Sequence, residues 1–289
     1  MIYGIDQFEY QDILEILKNP SKAKLNKKSR DQIIKSQQNV QKIVESDRTV
    51  YGINTGFGPL CDVKISEEET AQLQHNLIIS HAVSVGKSID KNICKIMMIS
   101  KVHALSKGFS GVSLDVIERL ILMLELDIIP VVPEQGSVGA SGDLAPLAHL
   151  VLPLLGLGQV WVNDEIKVTS EVLEKHNIQP LKLGPKEGLG LINGTQFILA
   201  HAIIGLSKFE YLLDLADLTA AMSIEAYRGS ASPFKKELHD IRPFDGSQKV
   251  AERMRNFLKN SDNLKSHEFC DRVQDQYSMR CVTQVNGAS

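Results

Sequence analysis

Ala140-Ser141-Gly142, followed by Asp143, is the stretch with the most distinctive chemical potential in the sequence. Held in a tight turn, the Gly142 amide nitrogen attacks the Ala140 carbonyl. Loss of two waters then leaves an electrophilic methylidene on a five-membered ring. Only small residues let those backbone atoms meet, and glycine offers the least hindered amide. The surrounding run, Gln135-Gly136-Ser137-Val138-Gly139-Ala140-Ser141-Gly142-Asp143, lies between Pro130/Pro133 and an apolar segment that begins at Leu144. By itself such a cluster reads as a Gly/Ser-rich loop capping the next helix. It matches neither the dinucleotide fingerprint nor the phosphate-binding P-loop. Nor is it a nucleophile elbow, since Ser141 has Gly139 before it but Asp143 after it.

Other residues with chemical potential sit on segments that the pattern places nearby. Tyr51-Gly52-Ile53-Asn54-Thr55-Gly56-Phe57-Gly58-Pro59 is too rich in glycine for regular structure, so Tyr51 and Phe57 belong to a shaped loop. Taken alone, that tyrosine is as readily a core plug. Ser66-Glu67-Glu68-Glu69 reads as a capping box opening a helix to about Val85, which carries His75 and His81. Their spacing is wrong for one helix face and for a zinc motif, so no metal site is expected. Asn193-Gly194-Thr195 stands at the start of an apolar run from Leu191 to Tyr227. Read as one helix, that run is about 50 Å long at 1.5 Å per residue. It must be buried on most of its surface, in a bundle or an oligomer interface. Free amides at its start favour an anion such as a carboxylate.

The elements that position these residues are mostly helical. Apolar residues at three- and four-residue spacing predict helices over 7–17 and 26–47, with two more over 90–107 and 112–127. Gln159-Val160-Trp161-Val162 and Ile166-Lys167-Val168 flank Asn163-Asp164, a peripheral hairpin. Another helix is expected over 247–260, then an irregular polar run from Gln274 to Cys281.

A chain of 289 residues can bury a substantial core and suggests about two domains. A net charge of -3 gives no electrostatic case for a nucleic acid or an anionic membrane as partner. The run from Leu144 to Val162 is broken by Pro146, Pro153, Gly156 and Gly158, which favours a buried helix and a turn over a membrane span. The first residues lack the basic start and apolar core of a signal peptide. Cys61, Cys94, Cys270 and Cys281 show no C-x-x-C pair and fit reduced, mostly buried thiols in a cytoplasmic protein. The ending Val285-Asn286-Gly287-Ala288-Ser289 carries no helix stop, which suggests a truncated protein, a break, or a short form that depends on association.

Side by side, these segments resemble the aromatic amino acid lyase family, in particular its histidine ammonia-lyase branch. The resemblance runs from about residue 3 to the last residue. It is carried by Val50-Tyr51-Gly52-Ile53-Asn54-Thr55-Gly56-Phe57-Gly58, by Asn76-Leu77 with Ser80-His81, and by Gly136 to Ala148. Asn193-Gly194-Thr195 and Val273-Gln274-Asp275 with Tyr277-Ser278 and Arg280-Cys281 complete it. It implies a mainly α fold of the L-aspartase/fumarase-like superfamily, with a minor β hairpin. A ring-bearing N-terminal domain would span 1–190, and the first part of a long central helical bundle 191–289.

The resemblance further implies that Ala140, Ser141 and Gly142 form a 4-methylideneimidazol-5-one (MIO) group autocatalytically, with Asp143 in support and no metal. By similarity Tyr51 is the base or acid at the substrate β-carbon, Arg280 clamps the carboxylate, and Asn193 orients the amine. Gln274 and Tyr277 line the site. Ser80-His81 is the pair that goes with histidine, so His81 is expected at the imidazole. The implied reaction converts L-histidine to urocanate and ammonia, in a homotetramer with shared active sites. Two alternatives stay open: a tyrosine or phenylalanine lyase or aminomutase using the same ring, and a fragment without chemistry. Lys101 stands where the family usually carries arginine.

Overall fold

The computed structural model describes the chain apart from residues 47, 57–64, 66, 139–141 and 268, and apart from the side chains of residues 67 and 68. Ala140, Ser141, Phe57, Cys61 and the Ser66 capping box therefore lie outside the described residues. The chain divides into two compact units, Met1–Ile204 and Gly205–Ser289.

The first unit begins with α1 (Tyr10–Lys18) and α2 (Lys27–Val44). Each starts at a reciprocal cap, Glu9 with Asp12 and Asn26 with Ser29, because free N-terminal amides need acceptors. α3 (Glu67–His81) ends before Val85, and β1 (Val85–Ser88) follows it. The helix stops at His81 because the next residues turn into that strand.

α4 (Lys91–Leu105) is the centre of the unit: Cys94, Ile96, Met97, Met98, Ile99 and Val102 are buried around nearly its whole circumference. α5 (Leu114–Glu125), capped by Ser113, packs Val116, Ile117, Leu120, Met123 and Leu124 into the same core. β2 (Ile129–Pro130) and β3 (Pro133–Gln135) come next, then α6 (Leu144–Val151), whose Leu147, Ala148, Leu150 and Val151 are buried.

The predicted hairpin is present as β4 (Gln159–Val162) and β5 (Glu165–Val168), with Asn163 and Asp164 at positive φ in its turn. It is not wholly peripheral. β2 pairs antiparallel with β4, which makes a three-stranded sheet in the order β2-β4-β5 and buries Val160. β1 pairs antiparallel with β3, Val85 opposite Gln135. That pairing matters for function: it fastens the segment just after His81 to the segment just before Gly136.

α7 (Thr169–Lys175) leads to α8 (Glu187–Ile192) and the 32-residue α9 (Gln196–Tyr227). The single helix expected from Leu191 is thus two helices. Asn193 is extended (φ -80°, ψ 131°) and Gly194 has φ 148°, so the helical bonding stops for three residues and restarts. The early turns of α9 place Phe197, Ala200 and Ile203 in the core of the first unit.

Among the described residues the second unit holds the rest of α9, a 3-10 turn (Ser232–Phe234) and the α-helices α10 (Lys236–Asp240), α11 (Asp245–Phe257), α12 (Asp262–Lys265), α13 (Tyr277–Arg280) and α14 (Val282–Asn286). Its core joins Ala221, Ile224, Phe234, Val250, Met254, Leu258 and Val282. Asp217 is buried and accepts from Asn286 Nδ2 at 2.8 Å, with Arg253 3.2 Å away.

Burial of α9 over most of its surface is not what the single chain displays. Asp217, Ala221 and Ile224 form one buried stripe, while Phe209, Tyr211, Leu212, Leu215, Leu218 and Met222 are exposed. The helix is apolar nearly all round, but the core touches one face of it. The cysteines also differ from expectation: Cys94 is buried, Cys281 half-buried and Cys270 exposed, all three free thiols. Among the described residues no helix is long and apolar enough to cross a membrane.

Candidate active site

Gly142 is the described member of the Ala140-Ser141-Gly142 tripeptide, and its surroundings are tight. Its φ is 94°, a conformation side chains resist, and a Cβ there would run into the Gly194 carbonyl oxygen. The same carbonyl accepts from the Asp143 backbone N–H at 3.0 Å, and Gly142 and Gly194 form an isolated parallel bridge. The loop before α6 is therefore stitched to the Asn193–Thr195 turn, about 50 residues later in sequence.

Asp143 completes that stitching from a fully buried position. One carboxylate oxygen, Oδ2, accepts from the backbone N–H groups of Phe197 (2.9 Å) and Ile198 (3.1 Å). These are orphan amides of the first turn of α9. The other, Oδ1, accepts from the Ser137 hydroxyl at 2.5 Å. Ser137 and Asp143 stand on either side of residues 138–142, so this bond closes the loop that carries the tripeptide. The anion expected at the start of the long helix is thus supplied by the chain itself.

Lys101 on α4 lies beneath the turn, 1% exposed, and donates from Nζ to the Asn193 carbonyl at 2.7 Å. Burial pushes its ammonium down to about 7, and the negative charge of Asp143 partly opposes that. Sequence reasoning marked Lys101 only as standing where the family usually carries arginine, without its partner, although a lysine inside the apolar run Ile96-Met97-Met98-Ile99-Ser100-Lys101-Val102 was a further signal. Buried lysines are rare unless paired.

A pH dependence follows from these shifts. Lys101 takes its last proton near 10.5 when unfolded and near 7 when folded, so between those values the unfolded chain holds more protons. Stability therefore rises with pH there. Above about pH 9 the unfolded Cys94 thiol ionises, whereas burial keeps the folded one protonated to about 12, which cancels the rise up to about pH 10.5 and turns it into a fall beyond. Denaturation of the first unit, followed by the fluorescence of the single tryptophan Trp161, should show a midpoint that climbs from pH 7 to 9. Lys101→Met should flatten the climb; a wild-type midpoint that falls over that interval contradicts it.

His81 ends α3, with Nδ1 2.8 Å from the Leu77 carbonyl and 3.2 Å from Ser80 Oγ. A carbonyl only accepts, so Nδ1 carries a proton, and in that tautomer Nε2 presents the lone pair. Three residues on, the Ser84 backbone N–H donates to His149 Nε2 at 3.2 Å. Burial lowers the pKa of His149, consistent with a neutral acceptor. With the β1–β3 pairing, this contact ties the His81 segment to α6, the helix that Asp143 begins. Tyr51 sits on the turn at 51–55 and is half exposed (54%). Asn54 holds that turn, accepting from the Val50 N–H at 2.8 Å and donating to the Arg48 carbonyl at 2.8 Å. Asn193 donates from Nδ2 to the Leu189 carbonyl at 2.9 Å.

The remaining expected site residues belong to the second unit. Gln274 and Arg280 line a cavity of about 560 Å³ with Asp275, His239 and Arg242. Arg280 donates from Nε to the Asp275 carbonyl at 2.8 Å, and its guanidinium lies 4.6 Å from the Tyr277 ring centroid. The Nε bond and the ring face fix the plane of the fork and leave its two terminal nitrogens for a carboxylate. Tyr277 is otherwise exposed. Asp275, not singled out from sequence as a site residue, organises this loop: its buried carboxylate accepts from the Ser230 N–H at 2.6 Å and from Arg272 at 3.3 Å.

Each unit thus brings part of the expected set together. Gly142, Asp143, Asn193 and Lys101 form one cluster in the first unit, and the His81 segment is fastened beside their loop. Gln274, Tyr277 and Arg280 form another in the second. Among the described residues no group of three or more His, Cys, Asp or Glu is placed to hold a metal ion.

Known proteins resemble the chain in sequence and fold. A family model described as aromatic amino acid lyase matches residues 8–289. A histidine ammonia-lyase from Deinococcus radiodurans is 41% identical over 280 residues, 96% of this chain and 53% of its own length. One from Idiomarina loihiensis is 44% identical over 266 residues, 92% of this chain and 52% of its own. The crystal structure of histidine ammonia-lyase from Trypanosoma cruzi superposes with a TM-score of 0.86 at 33% identity, covering 99% of this chain and 53% of that one. The chain spans about half the length of the curated relatives it matches. The fold, the stitched glycine loop and these matches lead to one conclusion: the chain belongs to the aromatic amino acid lyase family.

Proposed function

We propose that the protein acts as a histidine ammonia-lyase, releasing ammonia from L-histidine without oxidation to give urocanate. The observation that carries this reading is the junction of Gly142 with Gly194, closed by Asp143. It is a backbone crossing that admits no side chain, placed at the one tripeptide able to cyclise. The residues present fit the MIO group: Gly142 supplies an unhindered amide, and Ser137 and Asp143 hold the two stems of its loop together. Once formed from Ala140, Ser141 and Gly142, that group supplies the electrophile that ordinary side chains lack.

The chain's own residues take the other roles. Arg280 binds the substrate carboxylate through its terminal nitrogens, Gln274 lines the cavity beside it, and the Tyr277 ring backs its guanidinium. His81, with Nε2 as acceptor, takes the imidazole N–H, which favours histidine over an all-carbon ring. Tyr51 exchanges the proton at the β-carbon, general acid–base work suited to a phenol on a held turn. Asn193 orients the amine. The reading includes a cytoplasmic homotetramer, for which the exposed apolar face of α9 offers a contact surface.

The test is ammonia release from L-histidine, L-tyrosine and L-phenylalanine by the purified protein, with urocanate followed by its absorbance. Histidine alone should react, and Ser141→Ala should abolish the reaction. Preferred release from tyrosine or phenylalanine would favour the rival lyase, and an active Ser141→Ala protein would refute the ring.

A further inference from the structure

We infer that Lys101 is the positioning residue for ring closure, holding the Asn193–Gly194 turn against Gly142 so that the backbone of residues 140–142 can cyclise. The inference rests on the MIO reading proposed above and extends it to a side chain that never touches substrate. Ring closure forms a bond from the Gly142 nitrogen to the Ala140 carbonyl carbon. The Ala140 oxygen leaves as water with the Gly142 and Ser141 amide protons, and a double bond forms from that carbon to the Ser141 nitrogen. The second water takes the Ser141 hydroxyl and its Cα proton, leaving the methylidene. No oxidant or co-reactant is needed. What the step does need is a bend that holds the Gly142 amide away from an ordinary hydrogen-bonding geometry.

Three contacts fix Gly142 and Asp143 against the turn they meet, and they converge on the Asn193–Gly194 peptide. Gly142 abuts the Gly194 carbonyl, which also receives the Asp143 N–H at 3.0 Å. The preceding carbonyl, of Asn193, receives Lys101 Nζ at 2.7 Å. The Asn193 N–H still closes the last turn of α8 on the Leu189 carbonyl, but its own carbonyl points out of that helix, so without Lys101 it is left with no donor from the core. Lys101 rises from the C-terminal half of α4, a helix buried around most of its circumference, which makes it a rigid post beneath the turn. The Asp143 carboxylate stabilises the buried ammonium electrostatically and also caps α9 just past the same turn. A lysine with only a packing role would not need its one donated bond to fall on the residue before Gly194.

The experiment compares intact masses of wild type, Lys101→Met and Lys101→Arg after timed refolding from denaturant of the unprocessed chain. Circular dichroism and Trp161 fluorescence establish that each variant has refolded. Wild type should lose the mass of two waters. In the folded Lys101→Met protein that loss should slow on the order of a hundredfold, the scale set by misplacing a reacting group by about 1 Å. Lys101→Arg, which keeps a donor for the Asn193 carbonyl, should recover most of the rate. If Lys101→Met does not fold, Lys101→Arg decides: recovery supports the inference, and a folded Lys101→Arg protein at full mass overturns it. Equal rates in wild type and folded Lys101→Met overturn the inference but leave the MIO reading standing. Full mass in wild type overturns both.

Discussion

Gly142→Ala should abolish the loss of two waters and destabilise the first unit by about 3 kcal/mol, the sum of a strained backbone and an overpacked contact. Both terms are local. The φ of 94° costs an alanine what it does not cost glycine, and the new methyl would push against the Gly194 carbonyl, which is already bonded to the Asp143 N–H. Relief requires moving either the loop or the 193–195 turn, and each is tied elsewhere, by Ser137–Asp143 and by Lys101. Gly205→Ala is the matched control. It lies inside α9 with nothing within 4 Å of the added methyl, so the change should stabilise by up to about 1 kcal/mol, as alanine does in a helix. Urea denaturation and intact mass measure both variants. A Gly142→Ala protein with wild-type stability and the two-water deficit would mean that the crossing is looser than the structure indicates.

Asp143→Ala should have the larger effect on stability, a loss of roughly 3–5 kcal/mol, typical of leaving a buried charge without its partner. The carboxylate satisfies the Phe197 and Ile198 amides and the Ser137 hydroxyl, and its charge favours the buried Lys101 ammonium. Removing it leaves those three donors without their acceptor and Lys101 without a nearby negative charge. Asp143→Asn keeps an acceptor and should lose less. Because Asp143 and Lys101 share one network, the Asp143→Ala/Lys101→Met double variant should be less destabilised than the sum of the singles. Strict additivity in that cycle would show that the two groups do not interact.

Much of the fold was legible because it is local. Runs of apolar residues at helical spacing mark α1, α2, α4 and α5, and Asn163-Asp164 marks the β4–β5 turn. What escaped is long-range. Nothing in Val85-Gly86-Lys87-Ser88 announces Pro133–Gln135 as its partner, and the pairing of Ile129–Pro130 with β4 is equally silent. The break before α9 was hidden because Leu191 and Ile192 continue the apolar pattern into Asn193, while the reason for the break, a carbonyl offered to Lys101 and another to Asp143, lies in distant residues.

The candidate site divides in the same way. The tripeptide, Tyr51, His81, Asn193 and Arg280 were visible as residue types in motifs. The residues that hold them were not: Ser137, Lys101, His149 and Asp275 act through single backbone contacts that leave no periodic trace. Asp143 was visible only as a neighbour of the tripeptide, and its role as the cap of a helix more than 50 residues away had no signature.

The most direct measurement of the central claim is the intact mass of the purified chain, read together with its near-UV absorbance. A mass short by two waters, with added near-UV absorbance, both lost in Ser141→Ala, is the predicted result. A chain at full sequence mass, with the absorbance of its tyrosines and Trp161 alone, would contradict it.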